Sequence, residues 1–274
     1  GIYQPESAVA NYETSIAMLA LHECNTSGQY EEIIKKARRF LTVIQWDESE
    51  GNTYADPEYG GAGYGRHERP DLSNTAFLID ALKGVGASSD DPAIQRALIF
   101  VSRSQNLEGA YDILEVAPKN PDGGFYYTPA NGGESQAGTT PNGGLRSYGS
   151  MTYSGLRSMI YAGVSANDPR VIAAVEWLGR HYTFAENPGM GDAGLFYYFH
   201  TAAKALHVLG QDQFIDTDGK AHDWRKDLAG VLLGAQQANG SWVNNNPRWL
   251  EDDANLVTSY ALLALSYCQP SVTE

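Results

Sequence analysis

The sequence has few cysteines, and their placement does not indicate a metal site. Cys24 and Cys268 stand near opposite ends of the 274-residue chain, and no spaced set of Cys and His accompanies them. We expect both to be small buried hydrophobic residues. A disulfide between them would require the two ends of the chain to meet. Nothing in the sequence calls for a metal or a cofactor.

Basic residues are also scarce, which excludes one class of partner. The chain has 19 Lys and Arg against 33 Asp and Glu, a formal net charge of −14. Such a field repels the phosphate backbone of nucleic acids and anionic membrane surfaces. We therefore expect no nucleic acid partner.

Long apolar runs are absent. No apolar run of about 18 residues, the length that spans a bilayer, occurs, and the N-terminus lacks a basic segment followed by an apolar one. The sequence therefore predicts neither a membrane span nor a signal peptide, although the start at Gly1 leaves a removed signal and the compartment open. With 42% hydrophobic residues, we expect residues 1–274 to form one soluble domain. The sequence does not indicate the oligomeric state.

A repeat runs through the chain. Five segments carry a threonine followed by a helical run rich in small residues and leucine, and they align at Thr14, Thr75, Thr152, Thr201 and Thr258. Four amphipathic segments alternate with them, at roughly 29–45, 91–105, 168–182 and 222–237. Two of these begin with an Asp-Pro pair, which caps and presets a helix start. The pattern predicts nine helices.

This alternation predicts an all-α fold. Helices of small residues pack inside and amphipathic helices cover them, which gives an α/α toroid. The Gly-rich stretches at 51–66, 106–147 and 184–194 lack the alternation of strands and are predicted to be loops.

The helix count makes the ring short. Five inner and four outer helices leave the first and last inner helices without an outer partner on their far sides. We expect these ends to meet in a short or incomplete ring with a wide seam. A second chain over the seam, or helices upstream of Gly1, are the alternatives.

The ends of the amphipathic segments carry a recurring motif. Gln237, Gly240 and Trp242 fit the Gln-x(2–5)-Gly-x-Trp ending of the QW repeat of triterpene cyclases. Looser copies are formed by Gln105 with Tyr111, and by Gln45 with Gly51 and Tyr54. The chain thus resembles the squalene/hopene cyclase and protein-prenyltransferase group, which implies the toroid fold over most of its length.

A second motif resembles the catalytic motif of squalene–hopene cyclases. Asp71, Ser73, Asn74 and Thr75 stand where squalene–hopene cyclases have Asp-x-Asp-Asp-Thr, whose middle Asp is the general acid that protonates the alkene. Here that position is Ser73, and an alcohol does not protonate an isolated alkene. The resemblance implies an apolar ligand, such as an isoprenoid, in the central cavity, and the altered motif implies that ordinary squalene cyclase activity is absent. The zinc ligands of prenyltransferases have no match.

Candidate site residues follow from the threonine alignment. In a toroid the N-terminal ends of the inner helices converge on the central cavity. Candidate catalytic residues are Asp71, Glu13 and His200. Candidate ligand-binding residues are Tyr12, Ser73, Asn74, Tyr148, Tyr197, Tyr198, Asp253 and Asn255. We expect Asp71, Asn74, Glu13 and His200 to face one shared cavity, with helix capping as the alternative role of the Asp and Asn residues.

Two other functions remain open at this stage. The chain resembles a helical-repeat module that binds a partner or a sugar-like ligand without catalysis. It is also consistent with an α/α-barrel polysaccharide lyase or glycosidase, which would need paired carboxylates such as Glu13 with Asp71 or Asp253. Whether the protein is an enzyme is left open.

The altered motif generates a first prediction. Ser73→Asp alone is expected not to produce squalene cyclase activity, because the third acidic position of the motif is Asn74 and the new acid lacks its supporting carboxyl. The measurement is product analysis after incubation of the variant with squalene. Detection of hopene would contradict the prediction.

Overall fold

The computed structural model describes residues 1–269, and over that range it contains nine α-helices. Their bounds are α1 (Ala10–Glu23), α2 (Glu31–Val43), α3 (Leu72–Gly84), α4 (Pro92–Arg103), α5 (Gly149–Tyr161), α6 (Pro169–Arg180), α7 (Leu195–Leu209), α8 (Trp224–Ala235) and α9 (Ala254–Tyr267). A small antiparallel hairpin joins β1 (Phe214–Ile215) to β2 (Ala221–His222). No helix within the described range has the length and apolarity that crossing a membrane needs.

The odd-numbered helices pack side by side in chain order. α1 contacts α3, α3 contacts α5, α5 contacts α7, and α7 contacts α9. α3 and α5 lie within this series and are buried on nearly every side, over residues 72–82 and 149–159. Small residues permit the close approach, since a Cβ added at Gly155 would lie 2.5 Å from the ring of Phe125. Among the helices predicted as inner, α3, α5 and α7 are the buried ones, whereas α1 and α9 are buried along one side only.

The even-numbered helices pack on this layer by one face. α2 contacts α1 and α3, α4 contacts α3 and α5, α6 contacts α5, and α8 contacts α7 and α9. In α2 only Ile34, Ala37 and Leu41 are buried, at the spacing of one helix face. Asp91 and Asp168 each accept a backbone N–H in the first turn of α4 and α6, so the predicted caps are present.

Most of the aligned threonines hold the loop that precedes their helix. The hydroxyl of Thr75 accepts the amide N–H of Ala62 at 3.0 Å, and that of Thr152 accepts the amide N–H of Phe125 at 3.1 Å. The same bond joins Ile2 to Thr14 and Trp242 to Thr258. Four of the five aligned threonines in residues 1–269 therefore share one hydrogen bond. The repeat in sequence is a repeat of this contact.

Two glutamines of the recurring motif connect successive outer helices. Nε2 of Gln45 donates to the carbonyl of Ala93 at 2.9 Å, and Nε2 of Gln105 donates to the carbonyl of Arg170 at 2.8 Å. Both acceptors lie in the first turn of the next outer helix, α4 or α6. Each glutamine also donates to the carbonyl of a glycine in the loop that follows its own helix, Gly60 for Gln45 and Gly123 for Gln105. The motif is thus a structural connection between repeats.

The long loop at 106–147 folds over the N-terminal ends of α3 and α5. Residues 123–130 are buried. The amide of Leu72 donates to the carbonyl of Tyr127, and the amide of Tyr148 donates to the carbonyl of Phe125. Isolated bridges and short 3-10 turns replace regular strands in this loop. The loop therefore forms one wall at the end of the helices where the candidate site was expected.

The terminal helices do not pack extensively on each other. On α1, Ile16 is 51% exposed, and on α9 Leu262 and Leu263 are 56% and 46% exposed. Cys24 is exposed and Cys268 partly exposed, and both are free thiols. The expectation that Cys24 is buried is wrong, because the chain is exposed over residues 22–24, where α1 ends. Direct closure between α1 and α9 is not observed.

The shared threonine contact predicts a loss of stability on mutation. Thr152→Val keeps the shape of the side chain but leaves the buried amide of Phe125 without its acceptor, which costs about 1–3 kcal/mol of unfolding free energy. The measurement is urea denaturation. Thr42→Val, at a partly exposed position on α2, is the matched control and should change stability by less than about 0.5 kcal/mol. Equal effects of both substitutions would contradict this role for Thr152.

Candidate functional site

Asp71 lies at the start of α3 and is enclosed by the loops that precede it. The residue is 1% exposed. Its carboxylate accepts the backbone N–H of Asn74 and the side-chain Nδ2 of Asn74, each at 2.8 Å. It therefore caps α3 while lying inside the protein. The expected proximity of Asp71 and Asn74 is present.

The surroundings of Asp71 change its acidity. Burial disfavours the charged carboxylate and raises its pKa to about 6. Hydrogen bonds from Asn74 and Tyr127 and the positive charge of Arg69 oppose this effect without cancelling it. A carboxyl group with such a pKa can hold or release a proton near neutral pH.

Hydroxyl groups connect three inner helices beside Asp71. The hydroxyl of Tyr12, on α1, donates to Oγ of Ser73, on α3, at 2.8 Å. Oγ of Ser73 and the hydroxyl of Tyr197, on α7, share a hydrogen bond of 2.6 Å. Burial and the charge of Asp71 raise the pKa of Tyr12, so it stays a neutral phenol. The hydroxyl of Ser73 is therefore hydrogen-bonded to the phenols of two tyrosines.

A row of aromatic rings runs across the inner helices from this point. The ring centroids of Tyr12 and Phe77 are 4.7 Å apart, and those of Phe77 and Tyr197 are 6.4 Å apart in a nearly parallel arrangement. Tyr197 is followed by Tyr260 of α9 at 6.0 Å, and Tyr260 by His200 at 5.8 Å. Tyr12, Tyr197 and Tyr260 are partly exposed. We name these five side chains the aromatic row.

An ionic cluster lies deeper between the same helices. Asp80 of α3 pairs with Arg157 of α5 and with Lys204 of α7, each at 3.0 Å. Burial lowers the pKa of His200 well below its ordinary value, and the charges of Lys204 and Arg157 add to this effect. His200 is therefore a neutral imidazole. It is the last ring of the aromatic row, beside Tyr260.

Several predicted residues lie outside the site. The carboxylate of Glu13 accepts the backbone N–H of Gln4 near the surface. Asp253 caps α9 by accepting the N–H of Asn255, and both residues are exposed. The hydroxyl of Tyr198 donates to a carbonyl in the loop before α7. A cavity shared by Glu13 and Asp71 stays a prediction, since the contact described for Glu13 is with Gln4.

Tyr148 belongs to the surroundings of Asp71. It is 3% exposed at the start of α5, and its pKa is raised by burial and by the charges of Tyr197 and Asp71. Its placement follows from the threonine alignment, because Thr152 donates its hydroxyl hydrogen to the carbonyl of Tyr148 just as Thr75 donates to that of Asp71. These two starts of α3 and α5 are equivalent in the repeat.

The rim of the site consists of loop residues that the sequence analysis missed. The hydroxyls of Tyr64 and Tyr127 are 3.3 Å apart. Arg69 forms an ion pair with Glu134 at 2.5 Å and lies over the ring of Tyr127. All of these lie in Gly-rich segments without helical periodicity. The one feature of the sequence that could have indicated them is that their loops directly precede the aligned inner helices.

Glu251 was also missed, and it fixes the start of α7. Its carboxylate accepts the backbone N–H groups of Tyr197 at 2.8 Å and of Phe196 at 3.2 Å, and also receives Nδ2 of Asn244 at 2.7 Å. The residue is 1% exposed, and burial raises its pKa. Glu251 therefore serves as a distant cap that holds Tyr197 in the aromatic row.

The described residues contain no group of three His, Cys, Asp or Glu side chains placed to hold a metal ion. Two pockets on the surface lie elsewhere, beside the end of α6. The candidate site is a cluster of a buried carboxyl group, phenols and one aromatic row.

Comparison with known proteins supports the fold and leaves the family open. No protein-family model matches the chain, and no curated protein matches it. A crystal structure of a protein from Actinoplanes is similar, with a TM-score of 0.57 and 17% sequence identity. The similarity covers 96% of this chain and 66% of that one, so the present chain spans just under two thirds of its length. At this identity the likeness concerns the fold alone.

The raised pKa of Asp71 has a consequence for stability. Because its pKa of about 6 lies above the ordinary value of about 3.9, the folded chain binds a proton more tightly than the unfolded chain between these values. This stabilisation is complete below about pH 4 and is lost as the pH rises through about 6. Asp71→Asn keeps a capping side chain and removes the titration.

Urea denaturation across this range tests the effect. From about pH 4 to pH 7, the unfolding free energy of the wild type should fall relative to that of Asp71→Asn, by up to roughly 3 kcal/mol. Asp253→Asn, at an exposed cap, should follow the wild type. A constant difference between wild type and Asp71→Asn across the range would show that the carboxyl of Asp71 titrates normally.

Proposed function

We propose that this chain is an open α/α toroid that binds an apolar, unsaturated ligand of the isoprenoid type along the aromatic row. The toroid is supported by five inner helices packed in order, four outer helices on one side of them, and the threonine and glutamine contacts that recur between pairs. Its opening is the seam between α1 and α9. Partly exposed Tyr12 and Tyr260 lie on those two helices.

The observation that carries the ligand class is a buried carboxyl beside a continuous row of rings. Ring faces give an apolar ligand a large contact area and favour positive charge that develops on it. Asp71, with its raised pKa, is placed to keep or give up a proton next to that ligand. Asp71 is 1% exposed, and this water-poor setting suits an isoprenoid chain better than a sugar.

The same geometry argues against ordinary squalene cyclisation. Ser73 stands at the position of the general acid, and its hydroxyl is bonded to Tyr12 and Tyr197. A serine in this environment has no acidity to offer an alkene. We therefore propose binding, with Asp71 as the titrating group in contact with the ligand.

A polysaccharide-active enzyme at this site has less support. Glycosidases place two carboxyl groups across the scissile bond. The partners considered for Asp71 are Glu13, which bonds the backbone of Gln4, and Asp253, which caps α9 at the surface. Glu134, at the rim, is neutralised by Arg69.

The pH dependence of ligand affinity tests the proposal. An apolar ligand removes water from Asp71 and favours its neutral form, so binding raises the pKa of Asp71 further and affinity falls as the pH rises through about 6. Each additional unit of pKa shift weakens binding by a factor of about ten at high pH. The probe is geraniol carrying an anthraniloyl fluorophore, displaced by unlabelled farnesol.

The expected result has a matched control. Asp71→Asn should bind the probe with an affinity that does not change across this pH range, whereas Asp253→Asn should behave as the wild type. Affinity that rises with pH would indicate a ligand hydroxyl donating to the carboxylate and would favour a sugar-like ligand. Absence of any displaceable binding by the wild type would contradict the proposal.

A further inference from the structure

A second site lies apart from Asp71, along the C-terminal end of α6. Two adjoining pockets of about 220 and 470 Å³ share His181 and Gly189. One wall is the loop around residues 120–147, and the other is the segment 182–189 that follows α6. We name the two pockets together the α6 groove. Neither the threonine repeat nor the proposed isoprenoid site uses it.

Aromatic side chains form the floor of the α6 groove. The rings of Trp177 and His181 stack with centroids 4.0 Å apart and planes 20° apart, and Tyr182 continues the lining. His181 is exposed, while Trp177 supports it from below at 2% exposure. Nδ1 of His181 is bonded to the carbonyl of Trp177, which fixes the ring and leaves Nε2 toward solvent. A flat, exposed and oriented ring is thus available.

The glycine beneath the tryptophan contributes to the shape. A Cβ added at Gly124 would lie 2.7 Å from Nε1 of Trp177 and 2.8 Å from Oγ of Ser147. Only glycine therefore leaves these two polar atoms side by side at the pocket wall.

Polar groups of both kinds surround the rings. Arg146 donates only through Nε, to the carbonyl of Thr139, so the rest of its guanidinium is free over the described range. Asp122 is fixed by Oγ of Ser147 at 2.6 Å and by the amide of Gly124 at 3.0 Å. Arg180 donates to the carbonyl of Asp122, and Glu186 is exposed on the opposite wall. Donors and acceptors therefore face the same space.

This balance of charge selects the ligand class. Each pocket contains one arginine and one carboxylate, Arg146 with Asp122 and Arg180 with Glu186, so the groove has no net charge to attract a small anion. Hydroxyl groups both donate and accept, and they satisfy mixed surroundings of this kind. An exposed ring with a few convergent polar groups is the lining expected for a small ligand. The geometry points to a neutral sugar unit of an oligosaccharide, with its apolar face on His181.

The experiment is a titration followed by NMR. Indole N–H resonances of the full chain are recorded while cellotriose, maltotriose or chitotriose is added, up to about 10 mM each, the range of weak sugar affinities. At least one trisaccharide should shift the Trp177 resonance in a saturable way. His181→Ala, at an exposed position, should weaken that affinity by about tenfold, and Arg146→Ala should weaken it as well.

Controls separate this site from the Asp71 site. His22→Ala removes another exposed histidine, on α1, and Asp71→Asn alters the first site; both should leave trisaccharide affinity unchanged. No saturable shift with any of the three sugars would overturn the inference. So would an affinity that is the same in His181→Ala and the wild type. Loss of isoprenoid binding would leave this result intact.

Discussion

The hydrogen bond from a loop amide to the hydroxyl of an inner-helix threonine is the contact on which the site depends. At Thr75 it holds Ala62 against the first turn of α3, and the amide of Asp71 in turn donates to the carbonyl of Ala62. The loop is thereby fixed over Asp71. Burial of the carboxyl follows from this placement, and its raised pKa follows from burial. At Thr152 the same contact places Tyr148 beside it.

The interior between the inner helices changes character along its length. Near the loops it is lined by phenols and the aromatic row, and further in Asp80 holds Arg157 and Lys204 together. Charges buried in this way cost desolvation energy, and removing one partner of such a pair typically costs about 3–5 kcal/mol. The ionic cluster joins α3, α5 and α7 through one carboxylate. It therefore fixes the relative positions of the helices that support Asp71 and Tyr197.

Much of the fold followed from periodicity, because helix packing imposes it. The threonine alignment correctly marked the five helices that pack side by side in series, of which α3, α5 and α7 are buried, and the Asp-Pro pairs correctly marked the starts of α4 and α6. The site could be predicted from the sequence less completely than the fold. Successive helical residues point about 100° apart, so Tyr197 contacts Ser73 while neighbouring Tyr198 bonds the loop before α7. The threonine alignment gives the position of a residue along its helix but not the direction in which its side chain points.

Residues contributed by loops were not recoverable by the same reasoning. Tyr64, Tyr127 and Arg69 come from Gly-rich segments, whose path depends on contacts with distant helices. Glu251 acts on α7 from a separate loop and has no local signature as a cap. Conversely, Asp253 is an ordinary helix cap, and its position alone did not distinguish it from Asp71. The two residues differ in burial, which the sequence does not reveal at the start of a helix.

The most direct test is the titration of the Asp71 carboxyl carbon by NMR in the wild type and in Thr75→Val. The account predicts a midpoint near pH 6 in the wild type. It also predicts a midpoint shifted toward the ordinary value of about 3.9 in the variant, because the loop that encloses Asp71 loses its contact. A wild-type midpoint near 3.9, or one near 6 that Thr75→Val leaves unchanged, would contradict it.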